Sequence, residues 1–73
     1  MSIQEKLGIL EEIMELEEGE LKVTDVLADF EEWDSIAILS YIAMMDSQFT
    51  KTVKGQEIKA FVTVQDALDM MEA

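Results

Sequence analysis

Eleven consecutive residues without charge, proline or glycine, Ser35 to Met45, lie in the middle of a 73-residue chain whose formal net charge is −12. The run follows Asp34, a residue type that caps helices by accepting a hydrogen bond from a first-turn N–H. It is far shorter than the ~20 apolar residues of a membrane span. A helix over 34–49 is therefore expected, and in an acidic chain so uncharged a helix needs other helices around it. At 3.6 residues per turn, Ile38, Ile42, Met45 and Phe49 form one stripe with Tyr41 at its edge, the expected core face. The other face presents Ile36, Ser40, Ala43 and Ser47, flanked by Leu39 and Met44. Solvent faces normally carry Lys and Glu, so this one reads as a partner-binding surface. The plainer reading is a short helix buried almost all round.

The flanking segments supply the surrounding helices. Ser2-Ile3-Gln4-Glu5 has the form of a capping box. Ile3, Leu7, Leu10, Ile13, Met14 and Leu16 then recur at helical spacing over 2–17, with Glu11, Glu12 and Glu15 toward water and Gly19 as the stop. Gly8 weakens this helix, and close packing is the one reason the sequence offers for it. Residues 18–33 read as a long ordered loop anchored by Leu21, Val23, Val26, Leu27, Phe30 and Trp33, a loop length that often accompanies function. Gly55 is expected to break the chain after the second helix, and 56–61 to form a short helix. Thr63-Val64-Gln65-Asp66 caps a last helix through Met71, with Val64, Ala67, Leu68 and Met71 inward. The expected fold is all-α: one domain over 1–73, a small antiparallel bundle of three main helices and one short one.

Cysteine and histidine are both absent. That excludes disulfides, thiol chemistry, Cys/His zinc sites and histidine bases. Twelve of the seventeen acids lie in the first 34 residues, against two of the five lysines. Such a polyanion repels nucleic acid and anionic membrane and favours basic protein surfaces. No basic region followed by an apolar run marks a signal peptide, so the cytoplasm is the expected compartment. Asp25, Asp29, Glu31 and Glu32 lack the spacing of a calcium loop, and no metal site is expected. Of the methionines, Met14, Met45 and Met71 read as gap-filling core, while Met44 and Met70 either join them or line a resting place for cargo.

Ser35 stands on the first turn of the uncharged helix, where free N–H groups and the positive end of the helix dipole favour a phosphate. It has no base to activate it and belongs to no Ser-x-x-Lys pair or Gly-x-Ser-x-Gly elbow, so an enzyme is not expected. Asp34-Ser35-Ile36, Phe49 at the end of the second helix, and Val62-Thr63-Val64-Gln65-Asp66-Ala67-Leu68 together resemble the acyl and peptidyl carrier protein family. There the corresponding motifs are Asp-Ser-Leu, a closing phenylalanine and Thr-Val-x-x-Ala-Ile/Leu, and the resemblance spans essentially the whole chain.

The resemblance implies a four-helix module with 4′-phosphopantetheine attached to Ser35, Asp34 being part of the motif. A phosphopantetheinyl transferase would install the arm from coenzyme A with Mg²⁺. Cargo-loading and cargo-processing enzymes would then use the arm's thioesters, with the carrier itself a monomer. Fatty-acid carriers of the family keep an acidic stripe on the second helix. Here that stretch offers Ala37, Ser40, Ser47 and Gln48, with Asp46 its one acid after Asp34. The departure, together with Trp33 before the motif, implies a specialised stand-alone carrier with dedicated partners that dock on Ile36, Leu39, Ser40, Ala43 and Met44. The competing reading is an unmodified acidic helical adaptor for a basic protein, carried by the acids of 11–20, although such runs are most often solvated helix faces.

Overall fold

The computed structural model describes residues 2–71 and is all-α. Helix α1 runs Ile3–Ile13, α2 Ser35–Phe49, α3 Gly55–Lys59 and α4 Val64–Asp69. Helix α1 packs on α2 and α4, and α2 on α3. One cluster of buried apolar side chains, drawn from all four helices and the loops, forms the core. No helix among the described residues is long and apolar enough to cross a membrane.

Helix α1 opens as its sequence predicts. The Ser2 hydroxyl accepts from the Glu5 N–H at 3.2 Å, and a Glu5 carboxylate oxygen accepts from the Ser2 N–H at 3.4 Å. It closes four residues sooner than expected. Met14 is its C-cap and Glu15 turns left-handed at φ 58°. The Glu15 N–H then donates to the Glu12 carbonyl (3.1 Å) and the Leu16 N–H to the Glu11 carbonyl (2.8 Å), the paired bonds of a Schellman stop. Gly19 is not the stop and lies further along the loop. Continuing to residue 17 would have placed Glu15 and Glu17 against the negative end of the helix dipole, with no basic residue in the last turn to offset them. Two expected facings also change: Ile3 is exposed, and Glu11 is buried.

Gly8 is exposed on α1, and a Cβ placed there would meet nothing within 4 Å. Close packing therefore does not account for it. Gly8→Ala is expected to stabilise the fold by about 0.5–1 kcal/mol, since alanine restricts the unfolded chain and suits a helix interior better. Thermal melts should show a rise of a few degrees, as about 1 kcal/mol moves Tm by roughly 4–8 °C in a domain this small.

The loop between α1 and α2 is ordered. Leu21 and Leu27 are buried, the latter in a 3₁₀ turn at Leu27–Asp29. The strand-like stretch before it is tied to the start of α4. The Leu27 N–H donates to the Val62 carbonyl, the Val64 N–H to the Asp25 carbonyl and the Gln65 N–H to the Val23 carbonyl, at 2.9–3.1 Å.

In α2 the buried residues are Ala37, Tyr41, Met44, Met45 and Phe49, while Ile38 and Ile42 are half-buried. The expected stripe is thus rotated, with Tyr41 at its centre rather than its edge. The cause is tertiary. The Tyr41 hydroxyl donates to the Ala67 carbonyl in α4 at 2.7 Å, and its ring meets Trp33 and Phe61 edge-on at 6.1 and 5.7 Å. Helix α2 ends at Thr50, left-handed at φ 54°.

Gly55 starts α3 instead of breaking the chain, and Ile58 buries that short helix against the core. In α4, Asp66 accepts from the N–H groups of Thr63 (3.0 Å) and Val62 (2.9 Å), which hold its carboxyl below the usual carboxylate range. Val64, Ala67, Leu68 and Met71 all point inward as expected, although the helix itself stops at Asp69.

Candidate functional site: the first turn of helix α2

Two anchors set the start of α2. The half-buried Trp33 lies edge-on to Tyr41, and its N–H donates to the Phe30 carbonyl at 3.2 Å, so the chain enters the helix from a fixed direction. Asp34 then takes extended backbone angles. Its carboxylate accepts from the Ala37 N–H at 3.0 Å, and its carbonyl accepts from the Ile38 N–H at 3.0 Å. The negative charge of the cap suits the positive end of a 15-residue helix.

Ser35 is consequently the first helical residue, and it is exposed. No hydrogen bond engages its hydroxyl among the described residues, and the cap leaves the Ser35 and Ile36 N–H groups free. Asp34, the nearest carboxylate in sequence, is committed to Ala37, and the chain contains no histidine. The Ser35 hydroxyl is thus open to solvent, and the carboxylate next to it in sequence is already engaged. Among the described residues no group of three or more acids could hold a metal ion. No family model, no curated protein and no solved structure matches this chain.

Beside the serine lies an open cleft of about 460 Å³ whose lining includes both its neighbours, Asp34 and Ile36. Ile13, Met14, Ala37 and Ser40 form much of its wall, and Glu12, Glu15, Glu31 and Glu32 bring carboxylates to it from the end of α1 and from the loop. A phosphodiester on Ser35 fits the exposed hydroxyl and the free N–H groups.

Of the residues expected to face partners, Ile36 is 73% exposed and Leu39 65%, and Ser40 and Ala43 are also exposed. Met44 is the exception. At 8% exposure it lies in the core, three residues beyond Tyr41 on the rotated stripe, and it leaves the docking set. Ala37, read from the sequence as part of the same surface stretch, is buried for the same reason. The cleft leaves no local signature in the sequence, because it joins acids 16–20 positions apart in the chain. The local pairs Glu12 with Glu15 and Glu31 with Glu32 are visible in sequence, but their meeting is not.

Proposed function

We propose that this protein is a carrier that holds acyl or aminoacyl groups on a 4′-phosphopantetheine arm attached to Ser35 and presents them to dedicated partner enzymes, without catalysis of its own. The observation that carries the reading is a single exposed, unbonded serine hydroxyl on the capped first turn of the longest helix in a four-helix domain. In the loading reaction the Ser35 oxygen attacks the pantetheine-bearing phosphorus of coenzyme A. An O–P bond forms, the phosphoanhydride bond breaks, adenosine 3′,5′-bisphosphate leaves, and the hydroxyl proton passes to the transferase. When bound, the arm supplies the thiol that this cysteine-free chain lacks, and that thiol holds the carried group as a thioester. Asp34 keeps α2 from fraying at the attachment point. The free N–H groups of Ser35 and Ile36 would be available to a phosphodiester there, and Trp33 holds the loop that leads into the helix.

The test is intact-mass measurement after incubation with coenzyme A, Mg²⁺ and a broad-specificity phosphopantetheinyl transferase. The wild-type chain is expected to gain one phosphopantetheine, and Ser35→Ala none. Because the hydroxyl is exposed and unbonded, Ser35→Ala should fold with a stability within about 0.5 kcal/mol of wild type. An unmodified wild type under conditions that load a control carrier, or an equal gain in Ser35→Ala, removes the carrier reading.

A further inference from the structure

Of residues 31–36, which lead into α2 and carry Ser35, Trp33 is half-buried and the others are exposed. The backbone bonds of this stretch are local. The Trp33 N–H reaches the Phe30 carbonyl at 3.2 Å, and the Asp34 cap closes on Ala37 and Ile38. Such bonds keep the first turn helical, but they move with the chain whichever way it enters the helix. The indole is the side chain of the stretch that reaches back into the protein. Its ring meets Tyr41 edge-on, with centroids 6.1 Å apart and planes at 77°. Tyr41 is itself fully buried, with its hydroxyl on the Ala67 carbonyl. One line of contacts therefore runs from α4 through the middle of α2 to the residue two positions before Ser35.

We propose that Trp33 is a positioning residue for Ser35: braced on Tyr41, it holds the approach to the serine turn in one orientation, so that a modifying enzyme meets the turn preformed. The inference rests on the carrier reading for the identity of that enzyme. A stretch of exposed residues samples many backbone conformations, and ordering each residue costs conformational entropy. Left mobile, the stretch would present a competent serine for only a fraction of the time, and apparent affinity for the transferase would fall by that fraction. Bracing it beforehand removes this cost from the encounter. Asp34 and Trp33 thus act differently: the cap keeps the turn helical, and the brace aims it. The indole takes no part in the transfer itself, so its loss is felt in KM and not in kcat.

The test compares wild type with Trp33→Ala, Trp33→Phe and Val64→Ala. Val64 is fully buried in α4, so its truncation weakens the core and reports what lost stability alone does. Loading kinetics are measured with coenzyme A, Mg²⁺ and a phosphopantetheinyl transferase, below the unfolding temperature of every variant. Trp33→Ala is expected to raise KM for the carrier about tenfold, the ordering cost of roughly one residue, with kcat within about twofold of wild type. Trp33→Phe keeps an edge against Tyr41 and should restore most of the loss, and Val64→Ala should keep the wild-type KM. On the unloaded, ¹⁵N-labelled proteins, amide order parameters over residues 32–35 should fall from about 0.85 to below about 0.6 in Trp33→Ala, while Tyr41 and Ile42 stay rigid. If Trp33→Ala does not fold, Trp33→Leu, which keeps apolar cover without an aromatic edge, takes its place with the same expectations. An unchanged KM, a loss that falls on kcat, an equal rise in Val64→Ala or no rescue by phenylalanine overturns the proposal. So does a turn that keeps its order without the indole. A wild type that is not loaded at all removes the carrier reading, and the relaxation comparison, made without transferase, then decides the brace by itself.

Discussion

Tyr41→Ala is expected to cost about 3–5 kcal/mol, the usual range for deleting a buried aromatic ring. A domain of this length has a total stability of roughly 4–11 kcal/mol, so the variant should be largely unfolded in mild urea. The cause is concentration of contacts. Tyr41 is fully buried at the middle of α2, between the edges of Trp33 and Phe61, and its hydroxyl reaches the Ala67 carbonyl. That carbonyl lies near the end of α4, where short helices leave acceptors without helical partners, and the Met71 N–H donates instead to Leu68. Tyr41→Phe keeps the ring and orphans the carbonyl, at a cost of about 1–2 kcal/mol.

The two variants also separate ring from hydroxyl by pH. Burial raises the Tyr41 phenol well above its ordinary value. The unfolded chain loses this proton near pH 10 and the folded chain keeps it, so the contribution is intact below pH 10 and is lost as pH rises beyond it. Relative to Tyr41→Phe, wild type should lose about 1.4 kcal/mol per pH unit above that point. Urea titrations of both proteins at pH 9 and pH 11 measure the difference, and a gap that does not change with pH contradicts the assignment.

Glu11→Ala is expected to be the second most damaging change, at about 2–4 kcal/mol. Its side chain is 4% exposed, and one carboxylate oxygen accepts from the N–H groups of both Gly19 (2.9 Å) and Leu21 (3.0 Å). Hydrogen bonds to a charged acceptor contribute more than neutral ones, and truncation leaves the buried Leu21 donor without a partner. Glu11→Gln retains a neutral acceptor and should lose less than half as much. Hydrogen exchange at the Leu21 amide provides the direct readout. It should accelerate strongly in Glu11→Ala and modestly in Glu11→Gln, while amides in the middle of α2 follow only the global change in stability. Unchanged protection at Leu21 would show that the clasp contributes nothing to the loop.

Both side chains show where reading a linear pattern loses information. Helical projection of α2 weighs residues by hydrophobicity, so Ile38 and Ile42 outrank Ala37 and a tyrosine. The folded chain instead turns the helix so that one phenol reaches α4, and that rotation carries Ala37 and Met44 inside. Glu11 looked like one more solvated acid in an acidic helix. Its burial depends on two amides eight and ten positions away, supplied by a loop that returns over the end of α1. The early end of α1 belongs to the same rearrangement, because the Schellman turn at Glu15 starts that return.

What the sequence determined by itself is local. Ser2 with Glu5, Asp34 with Ala37, and Thr63 with Asp66 each satisfy a helix start within three residues, so their bonds form wherever the rest of the chain goes. The place of Ser35 as the first helical residue follows from the Asp34 cap, while its exposure depends on how α2 packs. The inward facing of Val64, Ala67 and Leu68 in α4, and of Met71 just beyond its end, follows from their helical spacing. Tertiary structure decided the rest: the rotation of α2 about Tyr41, the burial of Glu11, and the meeting of Glu12 and Glu15 with Glu31 and Glu32 beside the serine. Each of these joins groups separated by eight or more positions. Such contacts form only after the entropy of closing the intervening loop has been overcome by burial elsewhere, so their geometry is a property of the whole core and of no segment within it.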